Sequence, residues 1–490
     1  MEEGDRMKEK SLSGNIVLNA IKTFMSIGFP LISFPYISRI LQVENIGKVN
    51  FVISIINYYS LVATLGLTSY AIREGSIVRN DIKKRSHLFD ELFSLNVITT
   101  IIAYILLGIS LVCIPSFREY RSLLLIYSLT MLFNAIGVGW ACSVFEDYLF
   151  ITVRSIIFQF LALVMMFLFI HKQEDYYKYT WIMVFQVAGT GISNLLHVSK
   201  VHRFKFTTKI DLKKHIKPVL TLFATEIATT IYVSSDTTVI GFLAGDYYNG
   251  LYAVSTKIYR VAKQMLAAIL QVAIPRLSNY YNNGNMKDFE DVIQEVGEML
   301  ILVLMPIVVG IFYCAKPIII LLSGIEYTEA YVSLQILSIS LVFAIIAWFL
   351  SQCVIVPKKM ESLMLKTTAF SASVNLVLNI LLIPYGKQNA AAFTTMISEA
   401  INAGIYLKYA YLHLRITELK KQIVQCGIAC VLMIVFMSII RYSLGDTTLF
   451  LMISILGCSV IYILTLLIER NSLLFKYLHA IENRIKVNRE

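Results

Sequence analysis

Three cationic residues, Lys257, Arg260 and Lys263, recur at every third position in a segment that otherwise consists mainly of Ala, Val, Ile, Leu, Met and Tyr. At 100° per residue of an α-helix, they fall within an arc of about 120° on one face. A charged side chain near the centre of a bilayer costs at least about 2.5–3.5 kcal/mol, so such residues normally face a bundle interior or a water-filled cavity. This cationic stripe therefore predicts a polar cavity inside a membrane protein. The alternative is that the cations only pair with internal carboxylates and stabilise the bundle.

Acidic residues in the same half of the chain are candidates for ion coupling or for structural contacts. Asp236 and Glu226 lie on the predicted helix before the stripe, and Glu399 lies deep in a later one. Asp236 and Lys257 sit at similar distances from the intervening turn, so we expect an ion pair between them. For Glu399, an ion-coupling or proton-relay role and an interhelical hydrogen bond both remain open.

Two further cations, Lys22 and Arg154, lie within predicted spans of the first half. Both are candidate substrate-binding residues. Each is close enough to a predicted helix end for its side chain to snorkel towards the interface instead.

Composition requires a membrane protein. The chain is 57% hydrophobic with a mean hydropathy of +0.69, and only 15% of its residues are charged, against about 25% in soluble domains. About fourteen apolar stretches are each long enough to cross a bilayer. We predict an all-α polytopic membrane protein. Its segments are an N-terminal tail (1–13), a six-helix bundle (14–198), a basic linker (199–216), a second six-helix bundle (217–411), two additional helices (412–468) and a C-terminal tail (469–490).

The distribution of Lys and Arg predicts the orientation. The even-numbered loops and both tails carry most of the 43 Lys and Arg residues, which places both termini in the cytoplasm. The first apolar stretch lacks a small-residue cleavage site and should be retained as an anchor. The net charge of +11 follows from these loops and needs no nucleic acid to explain it.

Nothing in the sequence predicts an enzyme. The loops are too short for a catalytic domain, and we find no GxSxG, HExxH, P-loop or Asp-x-Asp motif. The seven cysteines lack metal-ligand spacing and are expected to pack as apolar side chains, so neither a metal nor another cofactor is predicted. Without an ATP site, transport would run on an ion gradient or on substrate flux.

Three segments carry a family resemblance. The central one comprises Asp211 to Pro218, Leu222-Phe223, Ile231-Tyr232, Asp236 to Gly241, Gly250 to Ala253 and Lys257-Ile258; the others are Phe34 to Leu41 with Asn45-Ile46-Gly47, and Trp140 with Glu146 and Tyr148. Together they resemble the bacterial oligosaccharide flippases of the Wzx type, within the multidrug/oligosaccharidyl-lipid/polysaccharide superfamily. One departure is Leu41-Gln42, where the family usually has Leu-Gly, so we expect the turn there to differ.

The resemblance implies two six-helix bundles around a central cavity, with two C-terminal helices outside. It implies flipping of an undecaprenyl-diphosphate-linked oligosaccharide repeat unit across the bacterial plasma membrane for capsule or O-antigen. The diphosphate would be held by Lys257, Arg260 and Lys263. H⁺ or Na⁺ as coupling ion, and a glycan polymerase and a chain-length regulator as protein partners, are further implications.

Two alternative functions remain at this point. A drug/cation antiporter of the same superfamily would be expected to line its cavity with acids, which the cationic stripe argues against. A polymerase of cell-surface glycan would need a longer outer loop than the sequence provides.

Overall fold

The structure, a computed structural model, describes residues 12–411, 414 and 416–476, and it is α-helical without strands over that part of the chain. The long elements follow the apolar stretches, because only a helix satisfies its backbone hydrogen bonds internally in lipid. The helices are α1 (Leu12–Thr64), α2 (Leu67–Ile77), α3 (Ile82–Cys113), α4 (Phe117–Ile136), α5 (Gly139–Val144), α6 (Tyr148–Phe169), α7 (Tyr176–Val198), α8 (Leu212–Leu243), α9 (Asp246–Asn282), α10 (Met286–Tyr313), α11 (Ala315–Ser323), α12 (Tyr331–Leu350), α13 (Glu361–Ala410), α14 (Ile416–Leu444) and α15 (Thr448–Ile468).

Eleven segments of the described chain are long and apolar enough to cross a membrane. Two of them, Gly28–Ile77 and Glu361–Ala410, contain 50 residues each. As single helices they would measure about 75 Å, more than twice the hydrocarbon core of about 30 Å. Each provides two crossings. With α9, whose charges lower its hydropathy, the total is the predicted fourteen, and the all-α polytopic fold is confirmed.

Both long segments are broken by a residue with positive φ. In α13 the break is at Lys387 (φ 50°, ψ −130°). Its two halves run antiparallel, since the Ser398 hydroxyl donates to the carbonyl oxygen of Ser371 at 3.4 Å and the Asn375 amide donates to the Thr394 hydroxyl at 3.5 Å. In α1 the break is at Gln42 (φ 63°, ψ 177°), the position where the resemblance led us to expect glycine. The helix therefore still ends there, although glutamine is strained in this conformation.

The described chain forms two compact units that divide between Gly250 and Leu251, inside α9. The first unit contains α1 to α8 and the beginning of α9, and its described residues include an apolar core at each end of α3. The core at the end of α3 includes Phe117, and the core at its beginning includes Phe89 and Trp140. Two short helices that the hydropathy pattern did not predict, α2 and α5, pack on this second core.

The second unit contains the rest of α9 and α10 to α15. Here α12 packs along α13, while α14 and α15 pack together and α14 also contacts α10. The core of this last group includes Cys314, Cys426, Cys430 and Cys458. All four are buried free thiols, as expected for cysteines that serve as small apolar side chains.

Candidate functional site

The cationic stripe lies on α9, within the second unit, and its three members have different surroundings. Arg260 is exposed, Lys257 is half-buried, and the side chain of Lys263 is 22% exposed. Lys257 and Arg260 are one helical turn apart and interact electrostatically. The three cations therefore do not act as one equivalent set.

Lys263 forms an ion pair with Glu399 on α13. The ammonium group donates to the Glu399 carboxylate at 2.7 Å, and the hydroxyl of Tyr259 donates to the same oxygen at 3.1 Å. The Glu399 side chain is only 5% exposed, so the Lys263 ammonium group compensates its charge and the Tyr259 hydroxyl adds a hydrogen bond in place of water. The arrangement ties α9 to α13. For Glu399, these contacts support the interhelical role, which the sequence left open beside ion coupling.

Arg260 has no ion pair or hydrogen bond with any residue that the structure describes. A guanidinium group offers five N–H donors in a planar fork that matches two phosphate oxygens. Arg260 is therefore available to an anionic ligand in a way that Lys263 is not.

Buried amide and hydroxyl groups line the interface between the two halves of α13. The Asn379 amide donates to Asn375 at 3.0 Å, the Thr394 hydroxyl donates to Asn379, and all three side chains are buried. The bond from Thr394 joins the two halves of α13, and both bonds satisfy polar groups that lipid could not. They fix the hairpin that places Glu399 opposite Lys263.

Arg154, on α6 in the first unit, is half-buried. Its guanidinium lies over the ring of Phe150, 5.6 Å from the centroid, and its contact with the Ser155 hydroxyl is long, at 3.5 Å. The Nε and Nη1 atoms have no hydrogen-bond partner within the described part of the chain. Arg154 therefore has two buried donors that no described residue satisfies. Lys22 lies on α1, in a stretch whose side chains fall outside the described residues.

The two acidic candidates on α8 have different environments. Glu226 interacts with the backbone N–H of Gly66, the residue that precedes α2. Asp236 is 7% exposed and interacts electrostatically with Tyr58. Asp236 and Lys257 belong to different units, and the ion pair between them stays a prediction.

Sequence reasoning missed a set of histidine and acid contacts at the beginning of α3. His202 donates to Asp90 at 2.9 Å. The fully buried His215 lies 3.3 Å from the Glu91 carboxylate and 2.7 Å from the Tyr70 hydroxyl. Tyr70 is the partner that can donate to the second ring nitrogen. The sequence does show histidines in the basic linker and two adjacent acids at the beginning of α3. Their pairing could not be predicted, because the partners are more than a hundred residues apart.

A second missed cluster lies at the opposite end of α3. The Tyr120 hydroxyl donates to the Asp246 carboxylate at 2.8 Å, and Lys48, Glu44 and Glu119 are its charged neighbours. Burial raises the pKa of Asp246 to about 6. Three carboxylates share a single lysine here, which opposes ionisation of the most buried one.

Comparison with known proteins identifies the class. The lipid II flippase MurJ, in an inward closed conformation, superposes with a TM-score of 0.74 at 16% identity, over 94% of this chain and 100% of that one. An inward-facing multidrug resistance MATE transporter of the MOP superfamily superposes with a TM-score of 0.58 at 15% identity, over 83% of this chain and 99% of that one. The chain therefore shares the fold of these membrane transporters, and with its many long apolar helices it is a multi-pass membrane protein.

Sequence comparison then gives the family. The model of the family described as "Polysaccharide biosynthesis protein" matches residues 12–281, more than half of the chain, and the chain belongs to this family. A putative O-antigen transporter of Shigella dysenteriae is 21% identical over 392 residues, covering 78% of this chain and 95% of the relative. Another from Escherichia coli K12 is 20% identical over 274 residues, covering 55% and 65% respectively.

Proposed function

We propose that this protein flips undecaprenyl-diphosphate-linked oligosaccharide repeat units from the cytoplasmic to the outer leaflet of the bacterial plasma membrane, for capsule or O-antigen synthesis. Family membership and the putative O-antigen transporters among its relatives support this proposal. The substrate has an anionic diphosphate, a polar glycan and an apolar tail. A transporter for it needs a cationic group held within an otherwise apolar membrane segment.

The observation that carries the proposal is the exposed guanidinium of Arg260 on α9. Its charge is not neutralised by any carboxylate of the described chain, and Lys257 is its electrostatic neighbour. An arginine can bind a diphosphate through two parallel N–H···O bonds. We assign Arg260 the principal contact with the diphosphate, with Lys257 adding positive potential.

Lys263 takes a different part in this proposal. Because its ammonium group is neutralised by Glu399, it positions α9 against α13 instead of supplying free charge. Arg154, with its unpartnered donors, is a second candidate contact for the phosphate or the glycan. Lys22 is retained as a candidate from the sequence.

We infer transport by alternating access, with both termini in the cytoplasm. H⁺ or Na⁺ is proposed as the coupling ion, and the polymerase and chain-length regulator of the same glycan are proposed as partner proteins. No step requires a cofactor or nucleic acid.

The proposal is tested by substituting Arg260 in cells that lack the native copy of the gene. Arg260→Ala removes a charge-assisted contact worth about 1.5–3 kcal/mol, so surface glycan should fall about ten- to hundredfold while lipid-linked repeat units accumulate inside. Arg260→Lys should restore transport only partly, since it keeps the charge but loses the fork. Surface glycan, lipid-linked intermediates and the amount of protein in the membrane are measured together.

The matched control is Arg276→Ala. Arg276 is also an exposed arginine on α9, outside the stripe. It should leave glycan export unchanged. Normal export by Arg260→Ala, or equal losses in the two variants at normal protein levels, would overturn the assignment of Arg260.

A further inference from the structure

The connection between α7 and α8, residues 199–211, begins with a turn and continues without regular secondary structure; we call it the linker strap. From residue 202 to residue 205 its side chains alternate between the protein and the surface. His202 is buried and Phe204 is half-buried, while Arg203 and Lys205 are exposed. Over these four residues the rings lie on the inner side and the basic side chains on the outer side, while Phe206, the next residue, is exposed.

The inner side of the linker strap is fixed to α3 by specific contacts. One Asp90 oxygen accepts from both the His202 ring and the backbone N–H of Lys205, each at 2.9 Å. The backbone N–H of Thr207 donates to the Ser94 hydroxyl at 2.8 Å, and that of Asp211 donates to Glu91 at 2.9 Å. Each of these contacts joins two residues that are more than a hundred positions apart in the sequence.

Aromatic packing adds to this attachment. The ring of Phe204 stacks on that of Phe89 with centroids 6.0 Å apart, and it meets Trp140 edge to face at 6.0 Å. The strap is therefore part of the folded first unit, and its outer face is a defined surface.

Two acids of α3 beside the linker strap are hydrogen-bonded to its inner side. Asp90 and Glu91 accept from histidine rings and backbone amides, so they do not neutralise the cations of the outer face. Those cations, which include two from the beginning of α8, are exposed and have no ion pair among the residues described by the structure; they are Lys200, Arg203, Lys205, Lys209, Lys213 and Lys217. Asp211, at the end of the strap, is the exposed acid beside them, so six cations outnumber one carboxylate and the outer face is strongly positive.

Exposed apolar side chains accompany these cations. Phe206 is 55% exposed, Ile216 40% and Val201 37%. Basic residues mixed with aromatic and aliphatic ones at the end of membrane-spanning helices match a bilayer interface, where headgroups carry the charge and acyl chains accept the apolar groups. A soluble polyanion would satisfy the cations but leave these apolar groups in water.

We propose that the outer face of the linker strap is a preformed binding surface for the headgroups of anionic phospholipids. Phe206 anchors the surface at the interface, and Arg203 and the five lysines around it contact lipid phosphates. Because the strap is fixed to α3, lipid binding stabilises the folded first unit as a whole. This inference does not depend on the transported substrate.

The test uses purified full-length protein in neutral detergent, supplemented with either phosphatidylglycerol or phosphatidylcholine. The thermal midpoint of unfolding should rise with phosphatidylglycerol and not with phosphatidylcholine, and the rise should shrink at high salt because screening weakens the contacts. The triple variant Arg203→Gln, Lys205→Gln, Lys209→Gln should lose about half of that rise, since half of the exposed cations are removed. Native mass spectrometry should show fewer bound phosphatidylglycerol molecules in this variant.

The matched control is Arg118→Gln, Arg121→Gln, Lys172→Gln, which removes three exposed cations from the opposite end of the first unit. It should keep the full response to phosphatidylglycerol. If the strap variant kept the full rise in the thermal midpoint with phosphatidylglycerol, the proposal would be overturned. The surface would then be assigned to an acidic protein partner. Equal losses in the two variants would also overturn it, because net charge alone would then explain the effect. Both variants should match the native protein in phosphatidylcholine, which shows that they fold.

Discussion

The contact between Lys263 and Glu399 changes the role that the sequence suggests for Lys263. As part of a stripe, Lys263 resembles a ligand-binding cation, but at 2.7 Å from a nearly buried carboxylate it is an interhelical contact. Removing one member of a buried pair typically costs about 3–5 kcal/mol, because the other charge is left uncompensated. Lys263 is partly exposed, so we expect a smaller cost.

We predict that Lys263→Ala and Glu399→Ala each destabilise the protein by about 2 kcal/mol, and that the double variant is less destabilised than the sum of the two. A double-mutant cycle on thermal unfolding in detergent measures the coupling. Strictly additive effects would show that the pair does not stabilise the fold and would return Lys263 to the substrate-binding candidates.

Asp246 makes the stability of the first unit depend on pH. Its pKa is raised from 3.8 to about 6 in the folded protein, mainly by burial. The native state therefore favours the protonated form. The resulting stabilisation is fully present below about pH 4 and is lost as the pH rises through about 6.

Asp246→Asn should remove this dependence, because the amide mimics the protonated carboxyl and still accepts from the Tyr120 hydroxyl. At pH 7.5 the thermal midpoint of the variant should be about 1–2 °C above that of the native protein. At pH 4 the two midpoints should be equal. Thermal unfolding of the two proteins between pH 4 and 8 is the measurement. A difference that does not change with pH would exclude titration of Asp246 as its cause.

At the scale of elements, the first unit depends on close backbone contact between α1 and the beginning of α9. A Cβ atom on Gly250 would lie 2.0 Å from the carbonyl oxygen of Val43, and one on Gly47 would lie 1.8 Å from that of Asp246. The Asn249 amide also donates to the carbonyl oxygen of Gly47 at 3.2 Å. Backbone atoms cannot move aside as flexible side chains do, so only glycine fits at these two positions.

Gly250→Ala should therefore destabilise the protein by more than about 2 kcal/mol, since the added methyl forces α1 and α9 apart. The control is Gly404→Ala on α13, where a Cβ atom meets open space. That change should stabilise by about 0.5–1 kcal/mol, because alanine is the better helix former. Thermal unfolding of both variants is compared, and a neutral Gly250→Ala would contradict the close packing.

At the scale of the whole molecule, the distribution of charge supports a cytoplasmic location for the linker strap. Its unpaired cations lie at the same end of the first unit as Lys83 and Lys84, which are also exposed. Positive residues in short loops are retained on the cytoplasmic side during insertion. The loop between α3 and α4, at the other end, would then face outward.

This orientation is tested by labelling intact cells with a membrane-impermeant maleimide. Cys113 is the exposed cysteine among the described residues, so Cys113→Ser gives a background of buried thiols. In that background Ser116→Cys should be labelled in intact cells, and Thr208→Cys only after permeabilisation. The reverse pattern would invert the topology, and labelling of both sites in intact cells would contradict the odd number of crossings between them.

The sequence alone determined the class of fold and the number of crossings, because hydrophobicity is a local property that each segment must meet by itself in lipid. It also placed the cations on one face of α9, since helical periodicity fixes that directly. The break at residue 42 was located by its place in a motif, even though glutamine stands there instead of glycine.

Only the tertiary structure decided which polar residues are already satisfied. Lys263 and Glu399 are 136 residues apart, and His202 is 112 residues from Asp90. A pairing over such distances depends on which helices pack together and at what depth, and no local pattern records it. By residue type and spacing, the three cations of α9 are equivalent. The packing neutralised Lys263 but left Arg260, and the cations on the outer face of the linker strap, without carboxylate partners.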